Sequence, residues 1–317
     1  MSRPGGGDVS EAAADASWRD YVELTKPRVV LLMLLCALVG MLLATPGTPP
    51  LAVVLTGLLG IALVAGSAAV VNHIADARID ARMARTRNRP IPEGRVDRKS
   101  GIIFAAALGI VGMAILVFWV NPLTAVLNLA SWVGYGLIYT LYLKRATSQN
   151  IVIGGLFGAA PPLFGWTAVT NSIEWGGLVL LLIIFVWTPP HFWALAIDRR
   201  RDYEKVDVPM LPVTHGDAYT RRQILYYTIA LCVVSLMPAM IGMSGLVYLA
   251  GALLLGAGFL ACALVLLRGN SERVPRRGTE RVPRRGTERA PIATFKYSIV
   301  YLALLFVLLL VDHYLPV

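Results

Sequence analysis

Long apolar stretches with almost no charge divide this 317-residue chain, and they constrain its fold more than any other feature. Several exceed the roughly 18 residues that a helix needs to cross a lipid bilayer. Only 15% of the residues are charged, whereas a soluble domain carries about 25%. These runs predict an all-α, polytopic membrane protein of about nine transmembrane helices, and they exclude a large soluble domain. They lie at residues 28–44, 51–71, 101–120, 122–143, 150–169, 176–197, 223–243, 245–267 and 295–315.

Lysine and arginine fall in alternate connections between these runs. Cations precede the first run and occupy residues 72–100, 144–145, 198–222 and 268–294, with Lys296 at an edge, whereas the other connections are short breaker-type turns. With nine crossings, all the basic segments lie on the side of the N-terminus. The positive-inside rule predicts that this side is cytoplasmic and that the C-terminus is outside. The net charge of +10 then reflects topology and attraction to anionic lipid, not binding of nucleic acid.

Two segments differ in composition from the membrane helices. Residues 1–20 are predicted to be a disordered tail, and residues 21–317 to form the membrane domain. Within the arginine-rich loop 268–294, the octad 272–279 is repeated without change at 280–287. A recent duplication without a catalytic role is the favoured interpretation, and contact with lipid headgroups is the alternative.

The first long basic segment begins with a regular set of oxygen-bearing side chains. Asn72, Asp76 and Asp80 are spaced i, i+4, i+8, which places them on one face of a helix. Mg²⁺ prefers such oxygen ligands and often binds one or two carboxylates together with substrate phosphates. The alternative is a solvated face paired with Arg78 and Arg82. The metal hypothesis is favoured because further arginines follow, and guanidinium groups suit a diphosphate.

A second pair of acids follows the sixth run. Asp198 and Asp202 have the i, i+4 spacing. The segment 208–213 after them is apolar and proline-rich, which indicates a lid or re-entrant segment over a site, or else an ordinary structured loop.

Histidines near the membrane are the remaining candidates. His191 follows Pro189 and Pro190 between aromatic residues, and His73 is adjacent to Asn72. Prolines inside a span are tolerated only where protein or a cavity covers the backbone. An ionisable residue there is a functional candidate by default, although a structural histidine is the alternative for both.

Several of these motifs together resemble the UbiA-type intramembrane prenyltransferases. The matching segments are 25–28, 72–90, 139–145 and 150–166. The run 188–196, followed by Asp202–Tyr203 and 209–212, is similar to one branch in particular, the protoheme IX farnesyltransferases or heme O synthases. The resemblance covers roughly residues 20–315.

The resemblance implies a fold and a reaction. We expect nine transmembrane helices around a central cavity capped on the cytoplasmic side, in the cell inner membrane. Farnesyl diphosphate, protoheme IX and water would give heme O and diphosphate, with Mg²⁺ as the cofactor. Heme A synthase, which acts on heme O, is a candidate protein partner.

The resemblance also assigns roles to residues. Asn72, Asp76 and Asp80 match the first acidic motif and Asp202 matches the second, with Asp198 a less secure ligand. These residues would bind Mg²⁺ and, through it, the diphosphate. The expected diphosphate-binding cations are Arg28, Arg85, Arg89, Lys144 and Lys26. The expected heme-contacting or supporting residues are His191, His73, Tyr203 and Trp193.

Three other functions fit parts of the pattern. One is a UbiA-type enzyme with an aromatic quinone precursor as acceptor, but the motif at residues 188–193 argues against it. A transporter also uses membrane acids and broken helices, but the acids here lie at helix ends and the two halves of the chain show no repeat. A non-catalytic heme-binding assembly factor is the third alternative.

Overall fold

The computed structural model describes residues 16–82, 86–205, 208–269 and 289–315, and within these ranges it is helical with no strand. Eight helices of the described ranges are long and apolar enough to cross a membrane, and the pair Trp18–Leu24 and Pro27–Leu43, bent by 53°, makes a ninth if it forms one span. The predicted all-α, multi-pass fold is therefore confirmed. The helices are α1 Trp18–Leu24, α2 Pro27–Leu43, α3 Leu51–Asp80, α4 Arg98–Val120, α5 Pro122–Ala146, α6 Asn150–Thr170, α7 Trp175–Asp198, α8 Gly216–Met240, α9 Leu246–Arg268 and α10 Ala290–Tyr314.

Helix α1 begins inside the segment 1–20 that was predicted to be a disordered tail. Ser17 caps it, because its hydroxyl accepts a hydrogen bond from Arg19 N while the Asp20 carboxylate accepts one from Ser17 N. Asp20 is buried and pairs with Arg95. This local cap and the ion pair bring residues 18–20 into the folded domain. The tail before residue 16 and the repeated octads lie outside the described residues.

Helices α2 and α6 approach each other closely through glycine. A Cβ atom on Gly40 would overlap the carbonyl oxygen of Pro162, and one on Gly165 would overlap that of Ala37. Small residues allow such close backbone contact between membrane helices, where van der Waals packing drives association. Helix α3 packs along α4, and α7 packs against α8 and α10.

Two spans depart from a regular α-helix in different ways. Helix α7 runs without a break through the buried Pro189 and Pro190. The second half of α5, Val133–Leu143, is a π-helix, a rare form that is frequent at functional sites. There the hydroxyl of Thr140 donates to the carbonyl of Tyr135 at 2.7 Å.

Polar contacts identify the two ends of the bundle. At one end, Lys26 and Asn72 join the start of α2 to the end of α3. At the other, the Asp312 carboxylate accepts from Tyr248 N at 3.1 Å, and His313 contacts the carbonyl of Thr45. The basic connections begin or end at the first end, as the charge pattern predicts.

Candidate active site

A cavity of about 270 Å³ lies at the basic end of the bundle. Helix α3 supplies one wall, α5 supplies a second, and the connections after α3 and α7 cover it. Its lining combines cations, acids and aromatic rings. The lining residues are Lys26, Asn72, Asp76, Ile79, Asp80, Thr86, Arg89, Tyr135, Tyr139, Lys144, Asn150, Ile151, Phe192, Tyr203, Val208 and Met210.

The three polar residues of α3 share one face, as their spacing predicts. Asn72, Asp76 and Asp80 are 4%, 3% and 5% exposed, and they occupy the last three turns of the helix. Since residues 51–71 of α3 are largely apolar, the helix can cross the membrane and still present three oxygen-bearing groups where it reaches the basic end.

Each of these three residues contacts a cation from another part of the chain. Lys26 donates to the Asn72 carboxamide oxygen. Lys144 Nζ lies 2.6 Å from Asp76 Oδ2, and Arg89 Nη1 lies 2.5 Å from Asp80 Oδ2. The cations are partly exposed toward the cavity, whereas the carboxylates are buried. The pairs therefore hold three cations and two carboxylates around one space.

The oxygen groups fit a divalent cation of the Mg²⁺ type. Asp76 Oδ1 is buried without a hydrogen-bond partner among the described residues, so it is an available ligand atom. No cluster of three His, Cys, Asp or Glu side chains suited to a metal occurs in the described ranges. Two carboxylates and a carboxamide alone would leave coordination positions open, which suits Mg²⁺ bound jointly with phosphate oxygens.

Tyrosines on α5 were missed as site residues by the sequence analysis. Tyr135 and Tyr139 stack with ring centroids 5.4 Å apart and line the cavity. Their i, i+4 spacing in an apolar run was the available signal, but aromatic residues in such runs also face lipid. Thr86, Asn150 and Phe192 were also missed, because their loop or helix positions carry no distinctive spacing.

The second acidic pair is not brought to this cavity. Asp198 and Asp202 are exposed and absent from its lining, although the neighbouring Tyr203 lines it. Arg28 is also exposed and outside the lining. Arg85 lies outside the described residues. The metal and diphosphate roles assigned to these four residues stay predictions.

The connection after α7 covers the cavity with apolar side chains. Val208 and Met210 are buried and line it, and a short helix, Leu211–Thr214, follows. Segment 208–213 therefore lies over the cavity, and its function as a lid stays a prediction.

The remaining candidates lie near the cavity but do not line it. The His191 ring stacks between Trp187 and Phe295, and its Nδ1 lies 2.7 Å from Ser298 Oγ. This packing gives His191 a structural explanation, although it contacts Phe192, which lines the cavity.

Trp193 and His73 are both buried. Trp193 packs edge-on against Tyr227 in the core between α7, α8 and α9, which explains its burial without a substrate. Neither ring nitrogen of His73 has a hydrogen-bond partner among the described residues. The heme-contacting role stays a prediction for both.

Solved structures with the same fold exist. The chain superposes with a TM-score of 0.77 on the structure of a digeranylgeranylglyceryl phosphate synthase, at 17% identity, covering 93% of this chain and 98% of that one. A UbiA homolog from Archaeoglobus fulgidus, bound to DMAPP and Mg²⁺, gives 0.64 at 15% identity, covering 92% and 99%. At these identities the likeness shows the fold alone.

Sequence relatives are far more similar. The protoheme IX farnesyltransferase of Marinobacter nauticus is 58% identical over 302 residues, which cover 95% of each chain. That of Saccharophagus degradans is 57% identical over 300 residues, covering 95% of this chain and 94% of the relative. The profile of the UbiA prenyltransferase family matches residues 33–279. The chain therefore belongs to the UbiA prenyltransferase family and, within it, groups with the protoheme IX farnesyltransferases.

Proposed function

We propose that this chain transfers the farnesyl group of farnesyl diphosphate to a vinyl group of protoheme IX, with addition of water, giving heme O and diphosphate. Full-length similarity to protoheme IX farnesyltransferases supports this reaction. The structural observation that carries it is the convergence of three cations with a carboxamide and two carboxylates on one cavity. These groups are Lys26, Arg89, Lys144, Asn72, Asp76 and Asp80.

The cations have the chemistry to bind the diphosphate. Arg89 can make bidentate contacts with phosphate oxygens, whereas Lys26 and Lys144 act as point charges. All three are held at the cavity by acceptors on α3, so binding requires little rearrangement of the backbone. Arg28 and Arg85 are proposed to add charge from the edge of the same region.

The proposed metal ligands are the oxygen groups of the same pairs. When bound by Asn72, Asp76 and Asp80, Mg²⁺ would neutralise the diphosphate and stabilise it as a leaving group. The buried, unpartnered Asp76 Oδ1 is the first ligand atom that we assign. Asp202 is proposed as a further ligand from the second motif, with Asp198 the weaker candidate. Asp202 would have to be brought inward by the short helix Arg200–Glu204, and Asp198, the last residue of α7, by movement of the end of that helix.

Charge stabilisation then drives the bond changes. Lys26, Arg89 and Lys144 would stabilise negative charge that develops as the farnesyl C1–O bond breaks. The vinyl group supplies the electron pair for the new carbon–carbon bond. Water adds to the resulting cationic carbon and releases a proton. We propose that the faces of Tyr135 and Tyr139, which line the cavity, shield the allylic cation from other water.

The acceptor is proposed to approach from the side of α7. Phe192 and Tyr203 line that side of the cavity, and His191 lies against Phe192. His191, His73, Tyr203 and Trp193 are the proposed heme-contacting or supporting residues. The enzyme is proposed to lie in the cell inner membrane with its N-terminus cytoplasmic and its C-terminus outside, and heme A synthase is the proposed recipient of the product.

The direct test is reconstitution. The purified protein is incubated with protoheme, farnesyl diphosphate and Mg²⁺, and the heme fraction is measured by mass spectrometry. We expect a product carrying one farnesyl and one hydroxyl group, lost when EDTA replaces Mg²⁺. Folded protein that binds protoheme without converting it would instead indicate an assembly factor. Prenylation of an added aromatic quinone precursor, with protoheme unchanged, would indicate the other acceptor class.

A further inference from the structure

A second and larger cavity, of about 620 Å³, lies at the same end of the bundle. It is bounded by the ends of α3 and α5, the start of α4, and the connection from α3 to α4. We refer to it as the arginine cleft, after Arg78, Arg98 and Arg145. Its lining residues are Ile74, Ala75, Ala77, Arg78, Ile91, Gly94, Val96, Asp97, Arg98, Leu141 and Arg145.

The arginine cleft is separate from the candidate active site. The two cavities have no lining residue in common. Ile74 and Arg78 line the cleft, whereas Asn72, Asp76 and Asp80 line the active-site cavity. An offset of two residues on an α-helix corresponds to a rotation of roughly 200°. Helix α3 therefore forms a wall between the two cavities.

The charge of the cleft is strongly positive. Within the described part of the chain, Arg78 and Arg98 make no ion pair or side-chain hydrogen bond, and Arg145 donates only to the carbonyl of Ala75 at 3.3 Å. The acid in the lining is Asp97, whose carboxylate caps α4 by accepting from Ser100 N at 3.0 Å. The lining thus holds three guanidinium groups and one carboxylate, and that carboxylate already accepts a hydrogen bond from the backbone.

Each arginine lies one helical turn from an apolar residue that is deeper in the membrane. Ile74 precedes Arg78 on α3, and Leu141 precedes Arg145 on α5, and both helices run toward the basic end. Helix α4 runs the other way, so Ile102 follows Arg98. Leu141 and Ile102 are 59% and 52% exposed, as expected of lipid-facing side chains. The cleft is cationic at the membrane surface and apolar just beneath it.

We propose that the arginine cleft binds one anionic phospholipid, with the phosphate between Arg78, Arg98 and Arg145 and the acyl chains along Ile74, Leu141 and Ile102. Arginine forks suit phosphate oxygens, and basic pockets between membrane helices bind anionic headgroups. Protoheme also combines an apolar body with anionic groups. The described lining, however, contains no aromatic ring to stack on a porphyrin and no histidine, cysteine or methionine to ligate its iron.

Occupancy of the cleft is expected to stabilise the active site from outside. Ala75 and Arg145 line the cleft, and they are the immediate neighbours of Asp76 and Lys144, which form the buried ion pair. A lipid that holds the ends of α3 and α5 together would favour the distance that this pair requires. The lipid is a structural ligand and takes no part in the reaction.

The test compares two triple variants with the same loss of charge. One is Arg78→Gln/Arg98→Gln/Arg145→Gln. The matched control is Arg222→Gln/Arg268→Gln/Lys296→Gln, which removes three exposed cations elsewhere at the basic end. Each protein is delipidated in neutral detergent and mixed with equal amounts of phosphatidylglycerol and phosphatidylcholine. Native mass spectrometry then measures retained lipid.

We expect the wild type to retain phosphatidylglycerol preferentially. Each arginine is expected to contribute about fivefold to the affinity for the lipid. The cleft variant should therefore bind phosphatidylglycerol on the order of a hundredfold more weakly, while the affinity of the control stays within about twofold of that of the wild type. The melting temperature of the wild type should rise with phosphatidylglycerol but not with inorganic phosphate, which separates a lipid site from a free-phosphate site. That rise should be absent in the cleft variant.

Three results would overturn the proposal. These are equal retention of phosphatidylglycerol by the cleft variant and the wild type, equal loss in the control, and displacement of the lipid by protoheme. If the triple variant does not fold, the three single variants are measured instead, each with its own control substitution. Because the readouts are lipid retention and melting temperature, they are independent of the prenyl-transfer reaction.

Discussion

Two parts of this molecule carry acids at the same i, i+4 spacing, and the structure treats them differently. Asp76 and Asp80 lie on the last turns of a membrane helix, are buried, and each contacts a cation across the cavity. Asp198 and Asp202 lie at and just beyond the end of α7, are exposed, and do not line that cavity. Spacing places two side chains on one face, but packing decides whether that face looks into a site or into water.

The two pairs should therefore differ in energetic weight. A carboxylate removed from water must be compensated by a partner, and loss of one partner leaves a costly buried charge. An exposed carboxylate is solvated and its ion pairs contribute little. Substitutions at the first pair should alter activity and stability together, whereas substitutions at the second should separate them.

The largest effect is expected for Asp76→Asn. Loss of this carboxylate removes a metal ligand and the partner of Lys144, and we expect kcat/KM for farnesyl transfer to fall on the order of 10²–10³-fold, as for loss of one electrostatic stabilising group. Asp312→Asn is the control, since Asp312 is a buried carboxylate at the opposite end of the bundle. The control should lower the melting temperature and leave kcat near that of the wild type. Comparable kcat losses in both variants would refute a specific role for Asp76.

Cations that line the cavity should also matter more for activity than exposed cations outside it, although the loss is expected to be smaller than for Asp76→Asn. Arg89→Gln removes the partner of Asp80 and a proposed diphosphate contact, and we expect roughly a tenfold to hundredfold rise in KM for farnesyl diphosphate, from loss of a charge-assisted contact. Arg28→Gln removes an exposed guanidinium outside the cavity lining and should raise KM by less. Steady-state kinetics at saturating protoheme measure both. An equal or larger effect at Arg28 would show that the diphosphate lies outside the described cavity.

The next effect concerns Asp202, which the sequence predicts to be a metal ligand but which is exposed and outside the cavity lining in the structure. If the short helix Arg200–Glu204 turns inward when substrate binds, Asp202→Ala should raise the Mg²⁺ concentration required for half-maximal activity. We expect a smaller loss of kcat/KM than for Asp76→Asn, roughly tenfold, because the exposed side chain makes a less constrained contact. Titration of activity with Mg²⁺ measures it, and Asp198→Ala is the matched comparison. A loss at Asp198 exceeding that at Asp202 would reverse our order of the two acids.

The sequence predicts more of the fold than of the candidate active site. Apolar runs and cation placement depend on the bilayer, which acts on each segment independently, so the spans and the basic end were recoverable. The Asn72–Asp76–Asp80 face was predictable because helix geometry alone sets it. Contacts between segments were not: no local pattern indicates that Lys144, 68 positions from Asp76 in the chain, forms its ion pair.

Local deviations were also beyond the sequence patterns. Tyr135 and Tyr139 reach the cavity from a π-helical segment whose composition resembles any lipid-facing run. Ser17 and Asp20 begin a helix where composition indicated a tail, because a four-residue capping box and an ion pair with Arg95 outweigh the polar, Gly/Ala-rich character of the preceding residues.

The smallest effect on stability and activity is expected for an exposed ion pair on the short helix after α7. Arg200 pairs with Glu204 at 2.7 Å in the i, i+4 arrangement, and hydrogen bonding to Glu204 raises the pKa of Arg200. Since both side chains are largely solvated, Glu204→Gln should cost no more than about 0.5 kcal/mol and leave kcat unchanged. The melting temperature should fall further in 10 mM salt than in 500 mM salt. The reason is that charges are screened over about 30 Å at the lower concentration and over less than 10 Å at the higher one. A salt-independent loss of activity in Glu204→Gln would instead mean that the connection after α7 takes part in forming the active site.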